Sequence, residues 1–199
     1  MALTTFFRAQ ITAGIKTLNP IVIAGNKMPI VYKRGLTASD IAQVELELGK
    51  SLPVEYRIFL QEMNGFFIAA PDYVEIPLSS VAEGLISFDR LFGWLPEEEC
   101  NDVVAFNQEF IEELAFLNNA IAIGEDGGGN PYVIVSEPKR TGIYYWDRTH
   151  SHEDNSIRDT DIPEINDSGS LYFISPSLGE LYKLISNQTG GNPVAIEDA

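Results

Sequence analysis

Residues 37–65, TASDIAQVELELGKSLPVEYRIFLQEMNG, predict two helices separated by a short link. Thr37-Ala38-Ser39-Asp40 has the pattern of a capping box, and apolar residues follow it at helical spacing. Gly49 predicts the end of the first helix. Pro53 suits the first turn of the second helix, which Asn64-Gly65 is expected to end. A link this short turns the helices sharply onto each other, so we expect a helical hairpin.

A longer helix and a three-stranded meander are predicted after this hairpin. Residues 96–117 begin with a proline and carry apolar side chains spaced for one buried helical face. Three β-branched and aromatic runs follow, at Ala120–Ile123, Tyr132–Val135 and Gly142–Trp146, with turn residues between them. Such runs predict an antiparallel meander. The expected fold class is α+β, a single domain in which an antiparallel β-sheet is flanked by helices.

The rest of the chain carries weaker signals. Residues 73–94 predict short strands and turns, because prolines and glycines break up their apolar clusters. The further predicted segments are a short helix at 3–18, a loose hairpin from 21–24 and 30–32, a long mobile loop at 147–170, a last helix from near Ser175-Pro176, and a fraying tail from Gly190.

The composition describes a chain that folds without disulfides. With 45% hydrophobic and 21% charged residues, the 199-residue chain has enough apolar material for one core. Cys100 is the only cysteine, so an intrachain disulfide is impossible and a reducing compartment is favoured. Arg8 and Lys16 interrupt the apolar start of the chain, and no apolar run elsewhere reaches the length of a membrane span. These features predict a cytoplasmic protein without a signal peptide or a membrane segment.

Charge is strong and unevenly distributed. The formal net charge is −16, from 13 basic and 29 acidic residues, and a field of this sign repels a phosphate backbone. Direct binding of nucleic acid is therefore not expected. Residues 1–35 carry five basic residues and no acidic one, which predicts a basic extension before a domain at 36–189 and a flexible tail at 190–199. Either this extension docks on its own acidic body, or an acidic face serves a basic partner.

One flank of the predicted 96–117 helix is a candidate binding surface. From residue 97 to residue 117 the chain carries seven acidic residues and no basic one. On a helical projection, the flank beside the apolar stripe consists of Glu98, Asp102, Glu109 and Glu113. Like charges four residues apart repel, and the helix dipole favours acids only near the N-terminus. This self-repulsion suits a surface that meets a cationic partner, and a merely solvated face is the alternative.

The loop at 147–170 is the second acidic region, with six carboxylates after Asp147 that include Glu164 and Asp167. We select acids from both regions as candidate contacts with a basic partner. They are Glu98, Asp102, Glu109, Glu112, Glu113, Glu153, Asp154, Asp159 and Asp161.

The glycine-rich segment Gly124-Glu125-Asp126-Gly127-Gly128-Gly129-Asn130 has three interpretations. A phosphate loop would end in Gly-Lys-Ser/Thr, which this segment lacks, and its carboxylates would repel phosphate. A calcium loop would need alternating oxygen ligands and a distal glutamate. A structural turn between two strands needs only the glycines, so we favour it and expect Gly128 to have a positive φ.

No other motif predicts catalysis or metal binding. His150 and His152 lie in the acidic loop without the further ligands that define a metal site. Cys100 follows three glutamates, which disfavour a reactive thiolate. The sequence contains no nucleophile elbow, metalloprotease motif or kinase motif. We therefore predict no catalytic residue, no metal site and no small-molecule substrate.

Three segments, at 36–67, 124–130 and 142–147, occur in an order that resembles the SUKH superfamily of bacterial immunity proteins and fungal regulators of cell-wall assembly. The resemblance spans about residues 36–186, and the first 35 residues depart from it. Its motif residues are Leu52, Pro53, Tyr56, Asn64, Gly65, Gly124, Asp126, Gly127, Gly128, Gly129, Asn130, Trp146 and Asp147. The resemblance implies that these residues serve the fold, with Pro53 starting a helix, Gly65 ending one and Trp146 packing in the core.

The resemblance also implies a protein with no catalytic centre and no cofactor, which acts by binding another protein. We expect a bacterial immunity protein that neutralises a cognate basic toxin, and we favour a nuclease as the type of toxin. A regulatory or scaffold module without a toxin partner is the alternative. An enzyme that uses scattered carboxylates is disfavoured, because the catalytic motifs are missing.

Overall fold

The computed structural model describes residues 28–69, 73–152, 160–190 and 192–196. The predicted helix at 3–18 and the predicted strand at 21–24 lie outside these residues. The described residues fold as one α+β domain, which confirms the predicted class.

Four α-helices and ten β-strands make up this described part of the chain. The helices are α1 (Ala38–Leu48), α2 (Val54–Glu62), α3 (Val103–Phe110) and α4 (Leu178–Gln188). The strands are β1 (Ile30–Arg34), β2 (Met63–Ile68), β3 (Val74–Pro77), β4 (Leu85–Phe88), β5 (Arg90–Leu91), β6 (Ala120–Glu125), β7 (Pro131–Glu137), β8 (Arg140–Asp147), β9 (Ser170–Ser175) and β10 (Val194–Ile196).

Eight strands form one sheet in the order β10-β1-β2-β5-β6-β7-β8-β9, and β3 pairs with β4 in a second, small sheet. The neighbours β6, β7 and β8 are antiparallel, which confirms the predicted meander. The short strands β3, β4 and β5 confirm the prediction for residues 73–94. The large sheet is mixed, since β1 and β10 run parallel, whereas the sequence predicts antiparallel pairs only.

The large sheet has two faces with different coverings. We call the face toward α4 and the β3–β4 hairpin the inner face, where Phe66 meets Tyr182 at 5.7 Å and Phe88 at 5.6 Å between ring centroids. The outer face carries α3, whose Asn107 side chain donates to the backbone of Ala122 at 2.8 Å and accepts from its N–H at 2.9 Å. Between these coverings, strands β6 to β8 are buried on both faces.

The helical hairpin forms as predicted. Thr37 caps α1 with a capping box that includes Asp40, and Gly49 ends the helix with a φ of 66°. Pro53 lies immediately before α2. Glu45 of α1 closes the link by accepting from the N–H of Leu52 at 2.8 Å.

The predicted role of Asn64-Gly65 as a helix end is wrong. Helix α2 ends at Glu62, and both residues belong to β2. Gly65 has a φ of 74°, and a Cβ there would lie 2.6 Å from the backbone nitrogen of Gly93. The Asn64 side chain accepts from the N–H of Trp94 at 2.7 Å and donates to its carbonyl at 3.0 Å. This dipeptide therefore joins β2 to the backbone of Gly93 and Trp94. Its Asn-Gly composition is typical of turns and does not predict this tertiary contact.

The predicted helix at 96–117 is also wrong in its extent. A 3₁₀ turn at Glu99–Asn101 precedes α3, and a second 3₁₀ turn at Ile111–Leu114 follows it. Asp102 accepts from the N–H groups of Val104 at 2.9 Å and Ala105 at 2.8 Å, so it is the N-cap and the helix begins after it. The proline at residue 96 is thus not the first residue of this helix.

Two strands near the C-terminus were not predicted. The apolar run directly after the predicted loop forms β9, which pairs with β8. Strand β10 lies in the segment predicted to fray and pairs with β1. The last helix confirms its prediction, with Ser177 as the N-cap and Leu178, Leu181 and Ile185 buried. Strand β1 lies before residue 35 and belongs to the large sheet. The domain boundary at residue 35 stays a prediction.

Candidate functional site

The predicted acidic flank does not exist as one surface. Asp102 is only 3% exposed, and its second carboxylate oxygen accepts from the N–H of Leu95. A carboxylate with three backbone donors on its two oxygens serves the fold, because it satisfies groups that would otherwise be buried without partners. Asp102 is therefore removed from the set of candidate contacts.

Glu98 lies apart from the later acids, because the chain between it and α3 forms a 3₁₀ turn and does not continue the α-helix. It accepts from the Lys33 ammonium group at 2.6 Å and from the Asn101 side chain at 3.0 Å. The hydrogen bond from Lys33 is the main cause that lowers the pKa of Glu98. This pair joins β1 to the segment before α3, so Glu98 already has a cation of its own chain.

Glu109, Glu112 and Glu113 remain exposed around the C-terminal end of α3. Glu113 forms a bidentate ion pair with Arg148, with distances of 2.7 Å to Nη2 and 2.9 Å to Nε. The Arg148 guanidinium also stacks 4.3 Å from the centre of the Phe110 ring. Within the described part of the chain, Glu109 and Glu112 make no such side-chain pair.

An open cleft of about 690 Å³ lies between this acidic end and the loop that joins β8 to β9. Its lining residues come from three segments and are Glu112, Glu113, Ala115, Phe116, Arg148, Thr149, Ile165, Asn166, Asp167 and Ser168. The cleft thus brings together acids from both regions that the sequence singles out. We call this site the acidic cleft, and the exposed Glu109 precedes its first lining residue, Glu112, by three positions in the chain.

The wall formed by residues 165–168 combines charge with apolar surface. Asn166 and Asp167 have φ values of 55° and 58°, a left-handed conformation that Asn and Asp adopt more readily than most residues. Ile165, next to them, is 46% exposed. The cleft can therefore contact both a cation and an apolar side chain.

The other loop acids have different positions. Asp161 accepts from the N–H of Phe173 at 2.6 Å and so satisfies a donor of β9, the last strand of the sheet. Glu164 lies within hydrogen-bond distance of His150, with 3.0 Å between its carboxylate oxygen and Nε2 of the imidazole. Glu153, Asp154 and Asp159 lie outside the described residues, and their role stays a prediction.

The glycine-rich segment is the turn between β6 and β7, and Asp126 organises it. Its carboxylate accepts from the N–H groups of Gly128 at 2.7 Å and Asn130 at 3.0 Å, and from the Tyr145 hydroxyl at 2.9 Å. Burial, and after it the Asp126 charge, raises the pKa of Tyr145, which keeps the phenol protonated as the donor. Positive φ values occur at Gly127 and Gly129, so the expectation for Gly128 is wrong.

This turn and the adjoining strand end support the acidic cleft. Asn130 accepts from both the N–H and the hydroxyl of Thr149 at 2.9 Å, which holds the residue next to Arg148. Asp147 accepts from the N–H groups of Ser151 and His152 at 2.7 and 2.9 Å. The network fixes the backbone on both sides of Arg148.

Trp146 holds the opposite wall of the acidic cleft. Its ring is fully buried, and the indole N–H donates to the carbonyl of Ser168 at 2.6 Å. A Cβ at Gly169 would lie 2.3 Å from the Asp147 carbonyl oxygen, so only glycine permits this close approach. Sequence reasoning missed Arg148 as a cleft residue, although its place directly after Trp146-Asp147 was an available signal.

Two further features are absent from the described residues. No helix there is long and apolar enough to cross a membrane. No group of three or more His, Cys, Asp or Glu side chains there has an arrangement that could hold a metal ion.

The fold and the acidic cleft define an α+β domain with an open recess that carries three acidic side chains. A comparison with protein-family models matches residues 35–183 to the SMI1 / KNR4 family (SUKH-1). The match covers most of the chain, and the protein belongs to this family. No curated protein gives a significant match to the sequence. The SUKH superfamily includes toxin-immunity proteins and fungal regulators, and its members are generally non-catalytic.

Proposed function

We propose that the protein is a bacterial, cytoplasmic immunity protein that binds and neutralises a cognate basic toxin through the acidic cleft. The observation that carries the proposal is the convergence of Glu112, Glu113 and Asp167 on one recess from two distant parts of the chain. A nuclease is the toxin type that fits best, because it must attract phosphate and therefore presents positive charge.

Electrostatics supports fast association with such a partner. The net charge of −16 produces a long-range attraction for a cationic protein, and the cleft offers three lining carboxylates against one guanidinium. Inhibition then follows from occlusion, since a protein that covers the phosphate-binding surface of a nuclease excludes its substrate.

The Glu113–Arg148 pair gives the cleft a specific chemistry. Arg148 forms an ion pair with Glu113 in the free protein, so an incoming arginine or lysine competes with Arg148 for this carboxylate. Glu112 and Asp167 have no such cationic partner among the described residues and can accept a cation without competition. Ile165 and Phe116 beside them provide apolar contact. A basic segment that also carries an apolar residue is the ligand that these walls suit.

The decisive experiment is co-expression with the protein encoded by the neighbouring gene. The proposal expects that neighbour to be toxic alone and harmless in the presence of this protein. Charge reversal of Glu109 and Glu112 should restore toxicity while the variant remains folded. A harmless neighbour, or toxicity that persists despite co-expression, would refute the immunity function.

A regulatory or scaffold function is the second candidate, because the same family contains regulators as well as immunity proteins. Affinity purification from the native host separates the two. One dominant small basic partner supports immunity, and several large partners support a scaffold.

A further inference from the structure

Strand β9 forms one edge of the large sheet, because the strand order of the described residues ends there. Its sequence is SLYFIS, and β8 is its neighbouring strand. An edge strand presents backbone N–H and C=O groups that can pair with a strand of another chain. A six-residue segment with high β-propensity, no charge and no proline favours such pairing. We therefore expect the fold to cover this edge.

Two residues of the loop between β8 and β9 cover the edge in different ways. Ile162 forms an isolated antiparallel bridge with Leu171, in which its N–H donates to the Leu171 carbonyl at 3.1 Å and its carbonyl accepts from the Leu171 N–H at 2.9 Å. Asp161 accepts from the N–H of Phe173 through its carboxylate at 2.6 Å. We call Asp161 and Ile162 the edge block.

The edge block satisfies β9 without adding a strand to it. In an antiparallel ladder, alternate residues direct their N–H groups to the same side. If the ladder continued from the Ile162–Leu171 pair, the backbone of Thr160 would lie opposite Phe173 and accept from its N–H. The Asp161 side chain takes this N–H instead. Because a carboxylate accepts hydrogen bonds and does not donate them, it ends the ladder at this point.

Asp161 also places a charge at the edge. Its side chain is exposed, whereas Ile162 is only 2% exposed. An incoming strand would have to displace the carboxylate from Phe173. In a pairing of two identical edges, the two carboxylates would also be brought close together, and charge on an edge strand is a known way of preventing such association.

We propose that the β9 edge is a pairing surface for a second copy of the chain and that Asp161 keeps this surface closed. Two identical strands pair antiparallel about a two-fold axis, so a second β9 would continue the eight-stranded sheet into the partner. An uncharged strand has no electrostatic complementarity to a basic protein, which favours the second copy as the occupant. The proposal is independent of the toxin and of the acidic cleft.

The test replaces Asp161 by alanine in the full chain. Asp161→Ala removes both the acceptor and the charge, and an exposed position should tolerate it without unfolding. Sedimentation velocity measures the association constant in about 0.3 M salt, which screens the repulsion between two acidic copies. This constant should rise about tenfold above that of the wild type, because the second strand no longer displaces a hydrogen bond to a charged group.

Amide hydrogen exchange locates the interface. In a dilute sample of Asp161→Ala, the Phe173 amide should exchange about tenfold faster than in the wild type, because it has lost its acceptor. Exchange over residues 170–175 should then slow as the protein concentration rises and a second β9 covers the edge.

Two further variants serve as controls. Glu75→Ala removes one carboxylate at an exposed position of β3, in the small sheet, and should associate like the wild type. Asp161→Asn keeps an acceptor oxygen for the Phe173 N–H and should associate less than Asp161→Ala. Circular dichroism verifies that every variant remains folded.

Three results would overturn the proposal. The first is an Asp161→Ala variant that associates no more than the wild type. The second is association that leaves the exchange of residues 170–175 unchanged. The third is an equal increase in the Glu75→Ala control.

Discussion

The acids at the two ends of α3 lie in different environments, although the sequence predicts Glu98, Asp102, Glu109 and Glu113 on one flank. At the N-terminal end, Asp102 is buried against three backbone donors, and Glu98 is paired with Lys33. At the C-terminal end, Glu109 and Glu112 face solvent, and Glu113 forms an ion pair with Arg148 in the acidic cleft.

Net charge alone therefore does not locate a binding face. A carboxylate whose lone pairs are filled by its own chain has little left for a partner, whereas an exposed carboxylate keeps its full field. The following substitutions test the distinction in order of decreasing effect.

Asp102→Ala should have the largest effect, and on stability. It removes the N-cap of α3 and leaves the N–H groups of Leu95, Val104 and Ala105 without their acceptor. We expect a loss of about 3 kcal/mol in the free energy of unfolding. Urea denaturation measures it, and Glu109→Ala is the control, with a change below about 0.5 kcal/mol. A loss as small as that of the control would contradict the assigned role of Asp102.

Glu109→Lys combined with Glu112→Lys should act on binding and not on stability. The association rate with the cognate toxin should fall about tenfold at low salt, and the difference should shrink as salt is added. Glu75→Lys with Glu83→Lys is the matched control, because it changes the same charge at exposed positions on the β3–β4 hairpin. Stopped-flow kinetics compares them, and equal rates in the two variants would place the binding face elsewhere.

A double-mutant cycle on Arg148 and Glu113 should give a smaller effect. Both side chains are partly exposed, at 28% and 36%, so solvent screening limits their coupling to about 0.5–1 kcal/mol of stability. Arg148→Ala alone should also strengthen toxin binding, because Glu113 is then free to accept a cation of the partner. Weaker binding of this variant would show that Arg148 itself contacts the toxin.

Lys33→Met should have the smallest effect and a distinct pH dependence. The Lys33 hydrogen bond lowers the pKa of Glu98 below its ordinary value of 4.5. A lowered pKa in the folded state means stabilisation that is present above pH 4.5 and lost as the pH falls through the folded-state value. The difference between the two proteins should therefore be below about 0.5 kcal/mol at pH 7 and vanish near pH 3. A difference that persists at pH 3 would exclude the ion pair as its cause.

Local signals of the sequence were sufficient for much of the fold. The capping box at Thr37, the glycine at 49 and the alternating meander strands act over a few residues, and each forms as predicted. The edge strands β9 and β10 were missed because pairing with β8 and β1, which lie elsewhere in the sequence, decides their conformation.

In the candidate site, too, some features follow from the local sequence and others depend on residues that are distant in the chain. The sequence alone determined the α+β class, the family resemblance, the excess of acids and the two segments that concentrate them. Which acids are already bonded within the chain depends on the tertiary structure, because Lys33 reaches Glu98 from 65 positions away and Arg148 reaches Glu113 from 35 positions away. Hydrogen-bond partners distant in sequence cannot be read from helical spacing, and the acidic cleft exists only after those partners are brought together.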